Sequence, residues 1–288
     1  MTLTEKLADA LVHAARYLDE DVLERIHWAL DQERALADAS VGSRASSAVL
    51  EAILANLQEA DKQGLPMCQD TGMFLVFVDI GRACPLGLGA VERAVLDGCA
   101  AAVDRASFRR SVVEEPVYDR ANTGRNLPPV IWWNVVAGDG LEIQVLLKGF
   151  GSENCSSVRM LNPTGGEQAV IQAVQEIVRN AGGKPCPPIF VGVGLGGTMD
   201  RASYLSKRAL LRDVRISNPD QRYAQLEESI TEQLQHLSIG SGGLGGAITA
   251  LHVAVEQEST HIAGLPLAVS INCWADRKAH VVWEGEDA

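Results

Sequence analysis

The 288-residue sequence lacks the segments that would direct it into a membrane or out of the cell. Its start, MTLTEKLADALVHAARYL, carries Glu5 and Asp9 among apolar residues, and no basic segment precedes an uninterrupted apolar one. A secretory signal is therefore not predicted. No run of 18 apolar residues occurs, so we expect no membrane span.

Positive charge is also scarce, because 25 Lys and Arg residues face 37 Asp and Glu residues, for a formal net charge of -12. The net negative charge of the chain disfavours binding to nucleic acid or to an anionic membrane surface, so we do not expect either as its main function. An anionic substrate would need cations that are gathered locally. We expect a cytoplasmic protein whose partners include neither nucleic acid nor membrane.

The cysteines show no CxxC or zinc-finger spacing, which excludes compact cluster motifs of the ferredoxin kind. Without a secretory signal we expect a reducing compartment, where thiols are more often buried or bound to metal than paired as disulfides. The six cysteines are Cys68, Cys84, Cys99, Cys155, Cys186 and Cys273.

What the sequence does contain is enough apolar residues, 47%, for an ordinary globular core. Apolar residues first recur every three or four positions, which predicts a helical N-terminal lobe over 1–64. Beyond it, short segments rich in Val, Ile and Leu predict strands at 73–80, 130–136 and 141–147, with helices among them. We expect a mixed α/β (α+β) fold in one compact unit, whose α/β region covers 65–288.

Two glycine loops follow predicted elements. GVGLGG at 192–197 fits the dinucleotide fingerprint G-x-G-x-x-G and has Asp213 about 20 residues later. Since such a fingerprint normally opens a fold, and most of the chain precedes this one, we favour a tight strand-to-helix turn whose helix N-terminus faces a ligand. The second loop, IGSGGLGG at 239–246, precedes a strand-like segment.

Three cysteines stand next to loop-forming residues at the ends of elements. Cys68 follows Pro66 and precedes a Gln-Asp-Thr-Gly turn. Cys186 lies among prolines in KPCPPIF, and Cys273 follows the apolar run LPLAVSI. A lone cysteine is usually a packed thiol, but three in this placement make a shared metal site a fair hypothesis, which their spacing does not prove.

Six motifs occur in the order PMCQDTG, DRANTGRN, KGFGSENCS, KPCPPIFVGVGLGG, SKRALLR and INCWADR. In this order they resemble the alpha subunit, or N-terminal half, of the class I (iron-sulfur) fumarate hydratase and L-tartrate dehydratase family. The resemblance runs from about residue 5 to residue 283, and in that family one cysteine in each of the CQDTG, CPP and CWA motifs binds a [4Fe-4S] cluster. This implies that Cys68, Cys186 and Cys273 are cluster ligands here.

Three thiolates on a four-iron cluster leave one iron without a protein ligand, which can polarise a substrate hydroxyl as a Lewis acid. Four cysteines would suit an electron carrier instead. The resemblance therefore implies a hydro-lyase, which also needs a base for the C–H proton beside a carboxylate.

The resemblance further implies residues that handle the substrate. Asp70 would support the proton-transfer group and Gln69 would hydrogen-bond the ligand, although this pair can also simply cap a turn as an Asx motif. Arg109 matches an arginine that grips a substrate carboxylate, a task suited to the guanidinium fork. We expect its neighbour Arg110 to be solvated.

Gly149 and Gly151 correspond to a glycine loop whose backbone approaches the substrate, although the family commonly has glycine where Phe150 stands. His261 matches a histidine that contacts the substrate; a lone histidine is otherwise more often structural. Asn122, Thr123 and Arg125 in NTGRN also match a family motif, and we interpret them as shaping their loop.

The loop sequence KGFGSEN resembles the fumarase branch of the family more than the tartrate branch. This resemblance implies reversible hydration of fumarate to (S)-malate, with L-tartrate or mesaconate as alternative substrates. In single-chain members a C-terminal domain supplies the base and further cations. We therefore expect a beta subunit, activity only in its presence, and an α2β2 assembly or a homodimer of the alpha chain.

Two other classes of function stay open at this stage. An iron-sulfur redox or iron-sensing protein without lyase activity would be favoured if Cys155 joined the other three cysteines as a fourth ligand. A nucleotide-binding protein would use GVGLGG instead, and would retain a nucleotide rather than a coloured cluster on purification.

Overall fold

The computed structural model describes residues 1–283, which fold into two compact units. Unit 1 comprises Met1–Asp19, Asn56–Phe150 and the described residues from Arg277 onward. Unit 2 comprises Glu20–Ala55 and Gly151–Asp276. Each unit is therefore built from separate stretches of the sequence.

Both helices and strands are present in the described part of the chain. The α-helices are α1 Leu3–Arg16, α2 Glu20–Leu36, α3 Val41–Gln63, α4 Leu88–Arg105, α5 Phe150–Glu153, α6 Gly166–Ala181, α7 Met199–Ala209 and α8 Gln221–Gln235. The β-strands are β1 Met73–Gly81, β2 Val130–Val136, β3 Leu141–Lys148, β4 Ser157–Leu161, β5 Ile189–Gly197, β6 Ala250–Thr260, β7 Leu265–Asn272 and β8 Lys278–Trp283. None of the helices within residues 1–283 has the length and apolar character that a membrane crossing needs.

Unit 1 contains a mixed four-stranded sheet in the order β2-β1-β3-β8, in which β1 runs parallel to β2 and antiparallel to β3. Alternate side chains of β1, namely Phe74, Val76 and Val78, share a core with buried residues of α1 and α4. A capping box starts α1, because the Thr2 hydroxyl accepts the Glu5 N–H and the Glu5 carboxylate accepts the Thr2 N–H.

Unit 2 contains a second mixed sheet in the order β4-β7-β5-β6. The central strand β5 pairs antiparallel with β7 and parallel with β6. Its apolar side chains share a core with α6 and α8. β5 has a neighbouring strand on each side, and nearly all of its residues are buried. The position of β5 therefore determines where β6 and β7 lie in this sheet.

The glycines of GVGLGG serve helix packing. Gly192 and Gly194 lie within β5, and a Cβ atom on either would come within 2.0 Å of the backbone oxygens of Ser206 and Ala202 in α7, respectively. The expected strand-to-helix turn follows, at Gly197, which has a φ of +61°. The motif therefore allows α7 to lie directly on β5, and its glycines need no nucleotide to explain them.

The mixed α/β class is confirmed, with N-terminal helices followed by two mixed four-stranded sheets. The three strands predicted in the first half of the chain are β1, β2 and β3, whereas β7 was seen in the sequence only as an apolar run.

The predicted boundary after residue 64 does not separate the units. The reason is that α1 packs in unit 1, whereas Arg25 of α2 donates to the Leu251 carbonyl of β6 in unit 2.

The close approach of α7 to β5 makes a testable prediction. Gly194→Ala should lower the free energy of unfolding by about 1–3 kcal/mol or more, because the added methyl group meets backbone atoms that cannot rotate away. Gly89→Ala in α4 is the control, since no atom lies within 4 Å of its added Cβ. It should be neutral or stabilising by up to about 1 kcal/mol. Urea denaturation measures both, and equal stabilities would contradict the packing.

Candidate functional site

Cys186 and Cys273 leave the sheet of unit 2 at the same edge. Cys186 stands three residues before the start of β5, and Cys273 directly follows the last residue of β7. Because the two strands are antiparallel, with Phe190 opposite Asn272, the start of β5 and the end of β7 are neighbours. The structure thus brings together two segments that are almost ninety residues apart in sequence.

The backbone at Cys186 is held in an unusual conformation. Cys186 has a φ of +54°, in the left-handed region that few residues other than glycine adopt, and its side chain is exposed. Backbone outliers of this kind are concentrated at functional sites. The carbonyl of the next residue, Pro187, accepts the Gly242 N–H at 2.8 Å, so the second glycine loop braces this segment.

That glycine loop is itself anchored to buried polar side chains of α2 and α3. Glu33 Oε1 accepts the Ile248 N–H at 2.8 Å, and Ser46 Oγ accepts the Ser241 N–H at 2.9 Å. Both side chains are fully buried. The helices of unit 2 therefore fix the loop that contacts the Cys186 segment, a role for IGSGGLGG that its sequence did not indicate.

Cys68 lies in unit 1, in the loop between α3 and β1, and is half-buried. The preceding residue, Met67, is fixed on both sides: its N–H donates to the Ala15 carbonyl at 2.9 Å, and its carbonyl accepts the Asn56 amide at 2.8 Å. This arrangement holds the start of the CQDTG motif against the end of α1.

Asp70 joins the same loop to the end of β3. Its Oδ1 accepts the Gly72 N–H at 3.1 Å, which is an Asx turn, and its Oδ2 accepts the Phe150 N–H at 2.8 Å. Gly72 has a φ of +80°, and a Cβ on it would come within 2.5 Å of the Lys148 carbonyl. The turn-capping interpretation of Asp70 is thus present in the structure, while its part in proton transfer stays a prediction. Gln69 is exposed.

Two side chains hold the backbone of Arg109, and one of them, Thr71, belongs to this loop. The Arg109 carbonyl accepts the Thr71 hydroxyl at 3.2 Å and the Asn126 amide at 2.7 Å. Asn126 is fully buried, and its Oδ1 also accepts the Ser111 N–H at 2.7 Å. Arg109 and Asp70 are therefore held through the same stretch, 70–72, of unit 1.

The two neighbouring arginines differ in their partners. Arg110 pairs with Asp104 at 3.2 Å on the surface, whereas the exposed Arg109 has no carboxylate partner within residues 1–283. Asn122 of the NTGRN motif donates to the Arg110 carbonyl and accepts the Gly124 N–H, which agrees with a loop-shaping role. Of the two guanidinium groups, that of Arg109 is the one without a carboxylate partner in the described part of the chain.

The predicted glycine loop is a helical turn, α5, preceded by Gly149. A Cβ on Gly149 would lie 3.3 Å from Asp70 Oδ2 and 3.6 Å from Arg277 Nη2, both in unit 1. In unit 2, a Cβ on Gly151 would meet only the Lys184 carbonyl, at 3.8 Å, so packing alone does not require glycine there. Phe150 is 44% exposed.

His261 lies at the opposite edge of the unit 2 sheet from Cys273. It follows β6 and precedes β7, and its Nδ1 accepts the Ala263 N–H at 3.2 Å. The eight residues of β7 separate it from Cys273, a distance of about 26 Å at about 3.3 Å per residue. Within this unit His261 is therefore far from Cys273, and its contact with the substrate stays a prediction. The N-terminus of α7 lies at that same far edge, so it does not face the Cys186 segment either.

The other cysteines have ordinary packing roles. Cys99 is fully buried in the unit 1 core, and burial raises the pKa of its thiol to about 12, which disfavours a thiolate ligand. Cys84 packs against the same core. In unit 2, Cys155 lines a pocket with Gly151 and Lys184 and donates to the Gly151 carbonyl at 3.4 Å.

The three predicted ligands are less buried than Cys99. Cys186 is exposed, and Cys68 and Cys273 are half-buried, so a cluster can reach them without entering a hydrophobic core. No disulfide occurs among the cysteines in residues 1–283. Over the same residues, no three His, Cys, Asp or Glu side chains are arranged to hold a single metal ion.

Sequence reasoning missed three residues that the structure places beside the predicted ones. Thr71 and Asn126 hold the Arg109 carbonyl, and the buried Arg277 lies next to Gly149. All three stand inside motifs that carried the family resemblance, PMCQDTG, DRANTGRN and INCWADR. Motif membership was therefore the available signal, although it could not say what each side chain contacts.

Residues 4–282 match the family model described as fumarate hydratase (Fumerase). The chain is 37% identical over 283 residues to a Methanocaldococcus jannaschii protein provisionally named L(+)-tartrate dehydratase subunit alpha, across 97% of this chain and 96% of that protein. It is 31% identical over 280 residues to the L(+)-tartrate dehydratase subunit alpha of Escherichia coli, across 96% and 89% of the two chains. A Shigella boydii protein of the same name matches at the same level.

Proposed function

This chain belongs to the fumarate hydratase (Fumerase) family and is a hydro-lyase subunit, and we propose that it is the alpha subunit of an L-tartrate dehydratase-type enzyme. The observation that carries the substrate class is similarity over nearly the full chain to proteins named L(+)-tartrate dehydratase subunit alpha. These names favour the tartrate alternative over the hydration of fumarate predicted from KGFGSEN. Mesaconate is a third candidate of the same chemical class.

The family uses an iron-sulfur cluster, and we assign its ligands in this chain to Cys68, Cys186 and Cys273. The supporting observations are their solvent access and, for the latter two, their emergence at one edge of the unit 2 sheet. When bound, the cluster supplies one iron without a protein ligand, a Lewis acid for the departing hydroxyl group.

The chain's own polar residues would bind and orient the substrate. Arg109 offers a guanidinium group without a carboxylate partner in the described chain, and such a fork matches a carboxylate. Each oxygen of Asp70 accepts one backbone N–H and keeps a second acceptor position, so this fixed carboxylate can assist a proton transfer. We assign Gln69, Gly149 and Gly151 to hydrogen bonding of the ligand.

A beta subunit would complete the site. The relatives are named as alpha subunits, and the chain's net charge of -12 leaves few cations to balance a dicarboxylate. We propose that the partner supplies the base and further cations, in an α2β2 complex or around a homodimer of the alpha chain. The alpha chain alone should then bind a cluster without turning over substrate.

The experiment that tests this function is co-expression with the beta subunit, reconstitution of the cluster without oxygen, and assay of L-tartrate, fumarate and mesaconate. Loss of water from the vicinal diol of tartrate gives an enol and then a 2-oxo acid, which is detected directly as a carbonyl product. We expect the highest kcat/KM for L-tartrate. A kcat/KM at least tenfold higher for fumarate would restore the fumarate assignment, and turnover of none of the three would reject this substrate class.

Replacement of each proposed ligand should remove the cluster. In Cys68→Ser, Cys186→Ser and Cys273→Ser we expect loss of both bound iron and visible absorbance, because a hydroxyl replaces a thiolate. Cys84→Ser and Cys155→Ser are the controls and should keep the wild-type iron content. Iron per chain is measured after anaerobic reconstitution. Full iron in Cys186→Ser would remove that residue from the ligand set, and loss of iron in Cys155→Ser would favour the four-cysteine redox class.

The adjacent arginines provide a matched pair for substrate binding. Arg109→Ala should raise KM about 30-fold or more, since a charge-assisted carboxylate contact contributes about 2 to 4 kcal/mol. Arg110→Ala should leave KM nearly unchanged, because its guanidinium is already paired with Asp104 on the surface. Loss of this exposed pair should cost only about 0–1 kcal/mol of stability, so the variant stays folded. Steady-state kinetics of the reconstituted complex measure both. The opposite pattern would show that Arg110 binds the carboxylate.

A further inference from the structure

Arg277 is a buried cation with incomplete hydrogen bonding in unit 1. Its side chain is only 1% exposed, and its Nη2 donates to the Leu147 carbonyl at 3.3 Å. Its Nε and Nη1 atoms are buried without a hydrogen-bond acceptor. Across residues 1–283, no carboxylate is paired with it. Burying an uncompensated charge is strongly unfavourable, so such a group signals an anion that compensates it.

Arg212 in unit 2 shows how the same chain treats a buried arginine that is purely structural. Its side chain is 12% exposed, and its guanidinium pairs with Glu227 at 2.5 Å and with Glu256 at 2.6 Å. It also donates to the Val255 carbonyl at 2.5 Å. A paired buried arginine is therefore present in the same protein, and Arg277 departs from that pattern.

The position of Arg277 connects it with the predicted substrate residues. Its Nη2 and Asp70 Oδ2 border the same side of Gly149, at 3.6 Å and 3.3 Å from the place that a Cβ would take. Asp70 and Arg277 do not form an ion pair with each other in the described chain. The positive charge of the Arg277 guanidinium can therefore attract an anion that binds beside Asp70 and Gly149.

We propose that Arg277 is an electrostatic determinant of substrate binding, a buried cation that attracts the dicarboxylate through space. This inference rests on the proposed function, in which a dicarboxylate binds beside Asp70 and Gly149. Arg109 provides one positive charge against two substrate carboxylates, and the side chain of Asp70, itself a carboxyl group, offers them no compensating charge. A second cation provides that charge, and burial strengthens its effect because the surrounding dielectric is low and salt screening is weak.

Two variants separate this role from a structural one. Arg277→Met removes the charge and keeps much of the volume, whereas Arg277→Lys keeps the charge. Arg212→Met is the matched control for loss of a buried but paired arginine. Each variant is purified as the complex with the beta subunit, and iron content, KM, kcat and the urea midpoint of the alpha chain are measured.

We expect Arg277→Met to keep its iron and to leave the urea midpoint unchanged or raised, because an uncompensated buried charge has been removed. Its KM for the best dicarboxylate should rise about tenfold or more, with kcat within about threefold, and Arg277→Lys should recover most of the affinity. Arg212→Met should show the reverse, a lowered midpoint with an unchanged KM.

A fall in the midpoint of Arg277→Met as large as that of Arg212→Met would overturn the inference, and so would an unchanged KM. If the wild-type complex turns over no dicarboxylate, the proposed function fails. The urea midpoints then decide alone whether Arg277 is an uncompensated charge, so the two failures are distinguishable.

Discussion

The antiparallel pairing of β5 with β7 is the constraint on which the candidate site depends. It places the segment before β5 and the segment after β7 at one edge of a sheet, and these segments carry Cys186 and Cys273. A shift in register would move the end of β7, and with it Cys273, along β5 by about 3.3 Å per residue. The buried apolar side chains of both strands oppose such a shift, because a slip of one residue turns each side chain to the other face of the sheet.

Glycine serves packing and bracing in this chain more than direct ligand contact. Gly192 and Gly194 let α7 lie on β5, and the second glycine loop carries the hydrogen bond from Gly242 to the Pro187 carbonyl. That loop is in turn fixed by Glu33 and Ser46 from the helices of unit 2. The position of the Cys186 segment thus depends on residues far away in the sequence, because Glu33 and Ser46 hold the loop that holds Pro187.

The acidic composition of the chain makes each arginine's partner informative. Arg110 and Arg212 are paired with carboxylates, whereas Arg109 and Arg277 have no carboxylate partner in the described chain. Exposed and paired arginines contribute little to a binding field, because their charge is screened or already balanced. Arg109 and Arg277 both belong to unit 1, as does Asp70, and they are the positive charges that the proposed binding of a dicarboxylate uses.

By itself, the sequence determined the helices and strands with clear apolar periodicity, and its six motifs implied the family and the three cysteines. It could not identify β7, because a short apolar run fits a strand or a buried helix equally well. Nor could it show that His261 lies at the far edge of the sheet, or that only one of two adjacent arginines has a partner. The tertiary structure decided these points, since they depend on which strands pair and on which side chains meet, and neither is encoded in local spacing.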